Sequence, residues 1–271
     1  MNGKDDISLK VQVLMENTAC REGICAEHGL SLYLETGGHR LLFDTGQSGR
    51  FADNAREMGV ALAEAELAVL SHGHYDHGGG LETFLSCNQT APVYLSRYAF
   101  QPHYSGPQRY IGLDCRLAGN PRLVPVGNYW RLDETLELFS CNDRPRPFPA
   151  DPYGLYLGDG DRRVPEDFRH EQYLLIHEGG RRILVSGCSH KGVLNLMEWF
   201  RPDVLIGGFH FVKLDPEGPE RETLLAAARQ LAQYPAVYYT GHCTGEAQLA
   251  LLKTVLGERV HPIRAGMSFT V

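Results

Sequence analysis

Four side chains able to hold a metal ion fall within six residues of this chain. They are His72, His74, Asp76 and His77, in the run Ser71-His72-Gly73-His74-Tyr75-Asp76-His77-Gly78-Gly79-Gly80. No regular helix or strand aims four such neighbours at one point, because their side chains recur on one face only every three to four or every two residues. A tight loop with a glycine inside it does. The apolar run 67–70 ahead of the loop reads as a short buried strand, and residues 81–85 beyond the triple glycine read as helix. Imidazole and carboxylate together suit Zn²⁺, Fe²⁺ or Mn²⁺ better than a hard, oxygen-only ion such as Ca²⁺. The competing reading is a solvated polar cluster, and the apolar strand that feeds the loop argues against it.

The same pattern of strand, turn and donor recurs along the chain. Residues 9–14, 30–34 and 40–43 read as strands of a meander, and Ser48 as the N-cap of a helix running to about Met58. Further on, 173–176 and 182–185 are strands joined at Gly179-Gly180 as a hairpin. The turn Ser186-Gly187-Cys188-Ser189-His190 follows, then a helix over 193–200. Strand 203–206 ends at Gly207-Gly208-Phe209-His210, and strand 236–239 ends at Gly241-His242-Cys243. Helices are expected over 219–233, with Leu224, Leu225, Ala228 and Leu231 on one face, and over 248–256. Every histidine-bearing turn thus sits at a strand end. Two facing sheets with helices outside, a four-layer αββα sandwich of mixed α/β (α+β) class, would gather those ends along one edge, where open sheets place ligands. The chain reads as one domain over 1–271. Residues 97–165, rich in Pro, Gly, Tyr and Arg, read as a loop-rich insertion that roofs the site.

Composition narrows the setting. With 33 acidic against 26 basic residues the net charge is −7, which argues against a nucleic-acid surface. The first ten residues lack the apolar core of a secretory signal, and no run approaches the ~18–20 apolar residues of a membrane helix. A cytoplasmic protein without membrane contact is expected. Seven scattered cysteines, an odd number without paired CxxC units, fit a reducing compartment. The oligomeric state is open between monomer and homo-oligomer.

The loop resembles the signature of the metallo-β-lactamase superfamily, in which the first two histidines bind one metal and the Asp-His pair binds a second. Phe43-Asp44-Thr45-Gly46 resembles the strand end whose aspartate orients that loop from behind the ligands. Glu27-His28-Gly29-Leu30-Ser31, Gly187-Cys188-Ser189-His190, Gly207-Gly208-Phe209-His210 and His242-Cys243-Thr244-Gly245 resemble one branch. That branch is named for 7,8-dihydropterin-6-methyl-4-(β-D-ribofuranosyl)aminobenzene-5′-phosphate synthase. The resemblance covers nearly the whole chain. It implies a dinuclear centre, zinc first and iron or manganese as alternatives, with His242 completing the second metal's shell. Cys188 falls where most members place a bridging aspartate. His170, 18 positions before Cys188, falls near the expected third histidine, with His190 as its rival.

The expected chemistry follows from a metal pair, which makes water nucleophilic at neutral pH and polarises an ester, lactone or phosphate oxygen. Asp76 is the candidate to steer the nucleophile's proton, with His190 and His210 as further catalytic candidates. Asn17, Glu27 and His28 are candidate substrate contacts, with loop bracing as the alternative. The expected substrate is a small anionic molecule, phosphorylated or pterin-like. The stretch Tyr94, Arg97, Tyr98, Tyr104, Arg109 and Tyr110 offers aromatic and basic groups to hold it. A general hydrolase of lactones, thioesters or phosphodiesters is the alternative, and a metal-bearing binding protein without turnover the third reading.

Overall fold

The strands alternate between two cores, and that alternation sets the architecture. In a computed structural model that describes residues 8–271, the chain runs through β1 (Lys10–Met15), β2 (Ser31–Glu35), β3 (Arg40–Phe43), α1 (Arg50–Glu57), β4 (Leu67–Val69), α2 (Tyr75–Gly78), α3 (Leu81–Cys87) and β5 (Val93–Ser96). Next come β6 (His103–Ser105), β7 (Arg109–Tyr110), β8 (Leu123–Val126), β9 (Tyr129–Arg131), β10 (Leu136–Phe139), β11 (Leu155–Asp159) and β12 (Arg162–Pro165). The remainder is β13 (Tyr173–Glu178), β14 (Arg181–Val185), α4 (Val193–Phe200), β15 (Val204–Ile206), α5 (Arg221–Leu231), β16 (Val237–Thr240), α6 (Glu246–Leu256), β17 (Val260–Pro262) and β18 (Ser268–Thr270). Residues 1–7, which carry most of the N-terminal stretch read above as lacking a leader, lie outside the described residues.

One seven-stranded sheet has the order β18-β1-β2-β3-β4-β5-β8, and a second has β17-β16-β15-β14-β13-β10-β9. Leu32, Leu34, Leu41 and Phe43 of the first sheet share a core with Leu174, Ile176, Ile183, Val185, Val204 and Ile206 of the second. Their strand neighbours point the other way, as period-two geometry requires. Tyr33 and Leu42 pack with Phe51, Ala55, Leu81 and Phe84 of α1 and α3. Tyr173, Leu175, Leu184 and Leu205 pack with Leu196, Phe200, Ala228, Leu231 and Leu252 of α4, α5 and α6. Helix, sheet, sheet, helix: the αββα sandwich stands.

The local expectations hold with adjustments. Gly179 and Gly180, both at positive φ, close the antiparallel β13–β14 hairpin. Helix α1 starts two residues after Ser48, at Arg50. Ser48 Oγ accepts the Arg50 N–H at 3.3 Å and donates to Glu27. The stretch 97–165 carries seven short strands, β6 to β12, between its loops. Strands β8, β9 and β10 extend the two main sheets, and β12-β11-β6-β7 form a separate four-stranded sheet. These strands are short and half-exposed, with β9 exposed throughout, so they carry little of the apolar alternation from which strands are read. Among the described residues no helix is long and apolar enough to cross a membrane.

Leu174 is wholly buried between the sheets, whereas Val164 on β12 is 37% exposed. Leu174→Ala should therefore cost about 2–5 kcal/mol of unfolding free energy and Val164→Ala about 0.5 kcal/mol or less. Urea titration of the two variants checks the contrast.

Candidate metal centre

The parallel pairing of β3 with β4 brings Asp44 beside the loop that leaves β4. Asp44 is buried at positive φ, and its carboxylate holds three groups. Oδ1 accepts the Ser71 N–H at 2.6 Å, and Oδ2 accepts the Ser71 hydroxyl at 2.7 Å and His77 Nδ1–H at 2.6 Å. With its proton committed to Asp44, His77 presents Nε2 as a lone pair. Ser71 Oγ lies 2.8 Å from His72 Nδ1, which frees His72 Nε2 in the same way. Gly73 admits no side chain, since a Cβ would fall on the Ala99 carbonyl oxygen.

Histidine and cysteine from the second sheet meet these donors. His190 Nε2 lies 3.3 Å from His72 Nε2. Cys188 Sγ is 3.1 Å and His242 Nε2 is 3.2 Å from His77 Nε2. Asp76 Oδ2 lies 3.4 Å from His242 Nε2 and 3.1 Å from His28 Nε2. His72, His74 and His190 each offer a donor atom within 4.8 Å of the others, as do His72, His77 and Cys188, and Cys188, His242 and Cys243. Cys188 thus stands between a three-histidine set and the Asp76–His77–His242 set.

His170 and His190 now separate. His170 Nδ1 accepts the Gly73 N–H at 2.8 Å, and its ring stacks on His103 with centroids 3.8 Å apart, on the far side of His74. His190 is the one aimed at His72. Its backbone N–H is held by Glu171 at 2.6 Å, and its ring lies flat on Phe168 at 4.6 Å. His170, expected from its chain spacing as a ligand, stands beside His74 and His103 rather than against His72. His190, read from sequence as a catalytic candidate and as the rival of His170, is the one of the two whose ring nitrogen meets His72. Glu171 also accepts the Lys191 N–H, while Lys191 Nζ donates to the Ser140 and Glu171 carbonyls. Burial pushes the Lys191 ammonium down to about 8.

Of the candidate substrate contacts, Asn17 and Glu27 point elsewhere. Asn17 Oδ1 lies 2.8 Å from His242 Nδ1 and accepts the Gly29 N–H, so it orients His242. Glu27 receives the Ser48 hydroxyl at 2.8 Å on each oxygen and braces the loop. His28 is exposed at the rim of a cavity of about 170 Å³ lined also by His74, Asp76, Arg109, Cys188, His190, His210, Lys213 and His242. His210, at positive φ, lies 4.3 Å ring to ring from His190, and among the described residues neither of its nitrogens has a hydrogen-bond partner. Of the aromatic and basic stretch only Arg109 lines this cavity, while Tyr94 packs against the inter-sheet core. Glu16 was not legible as a site residue. It is buried next to β1, and its carboxylate accepts the His242 N–H at 2.5 Å. The only signal for it was an acidic residue directly after an apolar strand.

The donors fit a divalent cation. Buried atoms without a hydrogen-bond partner cluster here, among them His74 Nε2 and His190 Nδ1. Burial, then the neighbouring imidazoles, holds His72, His74 and His190 well below the ordinary histidine value, which leaves them neutral as ligands must be. Burial pushes Asp76 up, but His77, His242 and His28 outweigh it and hold the carboxylate well below its usual range. Burial pushes the Cys188 thiol well up, a direction that a bound cation reverses.

Residues 26–242, ending on His242, match the family model of the metallo-beta-lactamase superfamily. The chain belongs to the metallo-beta-lactamase superfamily. Members of this superfamily are mostly metal-dependent hydrolases and typically bind divalent metals such as zinc. Two relatives come from Methanocaldococcus jannaschii. One is the uncharacterized protein MJ0448, 28% identical over 211 residues and covering 74% of this chain and 79% of that protein. The other is 7,8-dihydropterin-6-methyl-4-(beta-D-ribofuranosyl)-aminobenzene-5′-phosphate synthase, 26% identical over 274 residues and covering 90% of each. Among solved structures, Tm1679, a metal-dependent hydrolase of the beta-lactamase superfamily, superposes with a TM-score of 0.82 at 25% identity. The alignment covers 97% of this chain and 99% of that one.

The histidines also set a pH dependence. His72, His74, His170 and His190 lie well below 6.5 in the folded chain through burial and then their imidazole neighbours. Below about pH 6.5 the unfolded chain therefore binds more protons, and stability falls by up to about 1.4 kcal/mol per pH unit for each. For His77, burial lowers the value, but Asp44 and Asp76 outweigh it and leave it raised. Its contribution runs oppositely, complete below about pH 6.5 and lost as pH rises through the folded value. Four against one, chelator-stripped protein should melt at a lower temperature at pH 5 than at pH 7. A flat or rising melting temperature over that interval would contradict it.

Proposed function

We propose that this chain is a dinuclear metal-dependent enzyme acting on a phosphorylated or pterin-like small molecule. The observation that carries the reading is the convergence of two donor sets on Cys188 at the floor of one cavity. In this reading His72, His74 and His190 hold one ion and Asp76, His77 and His242 the other, with Cys188 between them. Zinc suits a set of imidazoles, one carboxylate and one thiolate best. Bound there, such a pair supplies Lewis acidity and water that is nucleophilic at neutral pH.

The chain's own residues complete the site. Arg109 and Lys213, both on the cavity lining, bring two positive charges to its mouth and favour an anionic substrate. Arg109 is steadied by the Tyr75 hydroxyl at 3.0 Å. The cavity of about 170 Å³ is smaller than the roughly 300–1,000 Å³ of sites that enclose a drug-sized ligand. It accepts a reacting phosphate or carboxyl group and leaves the remainder of a larger substrate over the rim beside His28. Asp76, held ionised, accepts a proton from the attacking group. His210, half-buried with both ring nitrogens free, stands ready to give one to the leaving group. Similarity to the M. jannaschii synthase over 90% of both chains favours a pterin or ribosyl phosphate substrate. Similarity to Tm1679 favours the second reading, a general metallohydrolase of lactones, thioesters or phosphodiesters.

The test is a panel of phosphate monoesters, phosphodiesters, lactones, thioesters and a pterin pyrophosphate condensation, run on stripped and zinc-reloaded protein. Activity should vanish with chelator and return with zinc. His77→Ala should lower kcat by more than the roughly 10–100-fold typical of losing a ligand's outer partner. Two bound zinc ions and no turnover of any substrate would overturn the reading in favour of a binding protein. Arg109→Ala should raise KM for an anionic substrate about tenfold, equivalent to about 1.4 kcal/mol, with kcat little changed. An unchanged KM would remove Arg109 from the anion site.

A further inference from the structure

Most ligand imidazoles of the proposed centre have an acceptor for their second nitrogen. His77 has Asp44, His72 has Ser71 and His242 has Asn17. Among the described residues His74 and His190 have none within hydrogen-bond distance, and His74 Nε2 and His190 Nδ1 are both buried without a partner. Beside His74 lie two residues of the insertion that no part of the proposed mechanism uses. His103, at the start of β6, is wholly buried, and Glu166, next to β12, is 6% exposed. His103 Nδ1 and Glu166 Oε2 are 2.7 Å apart. One donor atom from each of His74, His103, Glu166 and His170 lies within 4.8 Å of the other three.

Such a group invites a third cation, but an inventory of its protons speaks for hydrogen bonds instead. A carboxylate only accepts, so His103 Nδ1 carries a hydrogen and His103 Nε2 a lone pair. Gly73 N–H donates to His170 Nδ1, so the neutral His170 ring carries its hydrogen on Nε2. An ion here would meet a single free imidazole lone pair. His74, for its part, gives an unprotonated nitrogen to a metal and so carries a hydrogen on the other. That hydrogen needs an acceptor, and His103 Nε2, also buried and partnerless, is one.

We propose that His103 and Glu166 are positioning residues that act through His74. The order is His74 Nε2–H to His103 Nε2, and His103 Nδ1–H to Glu166. The two rings meet edge to face with centroids 5.4 Å apart, and a single buried water can bridge polar partners at such a separation. The relay fixes the tautomer and orientation of His74 and raises its basicity as a ligand. It gives the insertion a specific task, since the small sheet then reaches the metal centre through a carboxylate–imidazole pair. The proposal rests on the dinuclear reading above.

Two variants test it. Glu166→Gln keeps the shape and removes the charge, and His103→Phe keeps a ring and removes both nitrogens. Zinc affinity is read by competition with a chromophoric chelator, and the ligand field from the visible spectrum of cobalt-loaded protein. In both variants one of the two zinc ions should bind about 10–100-fold more weakly, with shifted cobalt bands. Far-UV circular dichroism of zinc-free Glu166→Gln should match wild type. Wild-type zinc affinity and cobalt bands in the variants would overturn the relay, as would loss of stability with the bands unmoved. If His103→Phe does not fold, nitrogen NMR of zinc-loaded wild type decides: a proton on His74 Nε2 supports the relay, and its absence there refutes it. Failure of the underlying reading looks different, because wild type itself would then hold fewer than two zinc ions.

Discussion

The site depends first on one carboxylate. Asp44 reaches from the end of β3 to the loop after β4 and binds a backbone N–H, a hydroxyl and an imidazole N–H at once. Take it away and the Ser71 N–H and His77 Nδ1 are left in a dry interior, where each unpaired group costs about 1–3 kcal/mol. More is at stake than stability. The same three bonds set which nitrogen of His77 is free, and through Ser71 which nitrogen of His72 is free. A single side chain thereby decides that two imidazoles face the centre with lone pairs rather than protons.

The second constraint is the packing of sheet on sheet. Donors from the β4 loop belong to one sheet, and Cys188, His190, His210 and His242 follow strands β14, β15 and β16 of the other. Those three strands run parallel and in register, so their ends emerge side by side along one edge. The distance between the two donor groups is therefore set by the apolar layer of Leu34, Phe43, Ile176, Val185 and Ile206. Interiors packed at this density deform little. A change of one methylene far from any donor is felt as a change in the spacing of the centre.

How much of this was legible follows from where each interaction lies in the chain. The loop from His72 to His77 and the strand-end position of Cys188 and His242 were local: an apolar run, a turn and a donor within a few residues. The role of Asp44 came from the resemblance of its strand end to the family's, since its partners Ser71 and His77 lie 27 and 33 positions on. The different placements of His170 and His190 were not local either, because His170 is held by a backbone bond from Gly73, 97 positions away. Asn17 looked like a substrate contact because only its loop was visible, whereas its partner His242 lies 225 positions on. His103, Glu166, Glu171 and Glu16 carry no motif at all. Their significance comes from burial, and an isolated polar residue in a weakly periodic stretch does not announce that it is buried. The small strands of the insertion were hidden for a related reason, since half-exposed strands bury too little apolar surface to leave a pattern.

Strain and unpaired polarity concentrate in the same place. Asp44, Phe168, Ser189, His210 and His242 all adopt positive φ without being glycine, a conformation that costs of order 1–3 kcal/mol at each residue. Beside them lie neutral histidines whose buried nitrogens lack partners. A fold selected for stability alone would remove both features, because each raises the free energy of the native state without improving any packing. A ligand that binds only the folded chain lowers that free energy by mass action, and a divalent cation relieves orphaned lone pairs and close imidazoles together. With such an ion bound, the strained ends of β3, β14, β15 and β16 would be stabilised by what they hold. Binding and folding become two descriptions of one equilibrium, centred on the edge where the sheets meet.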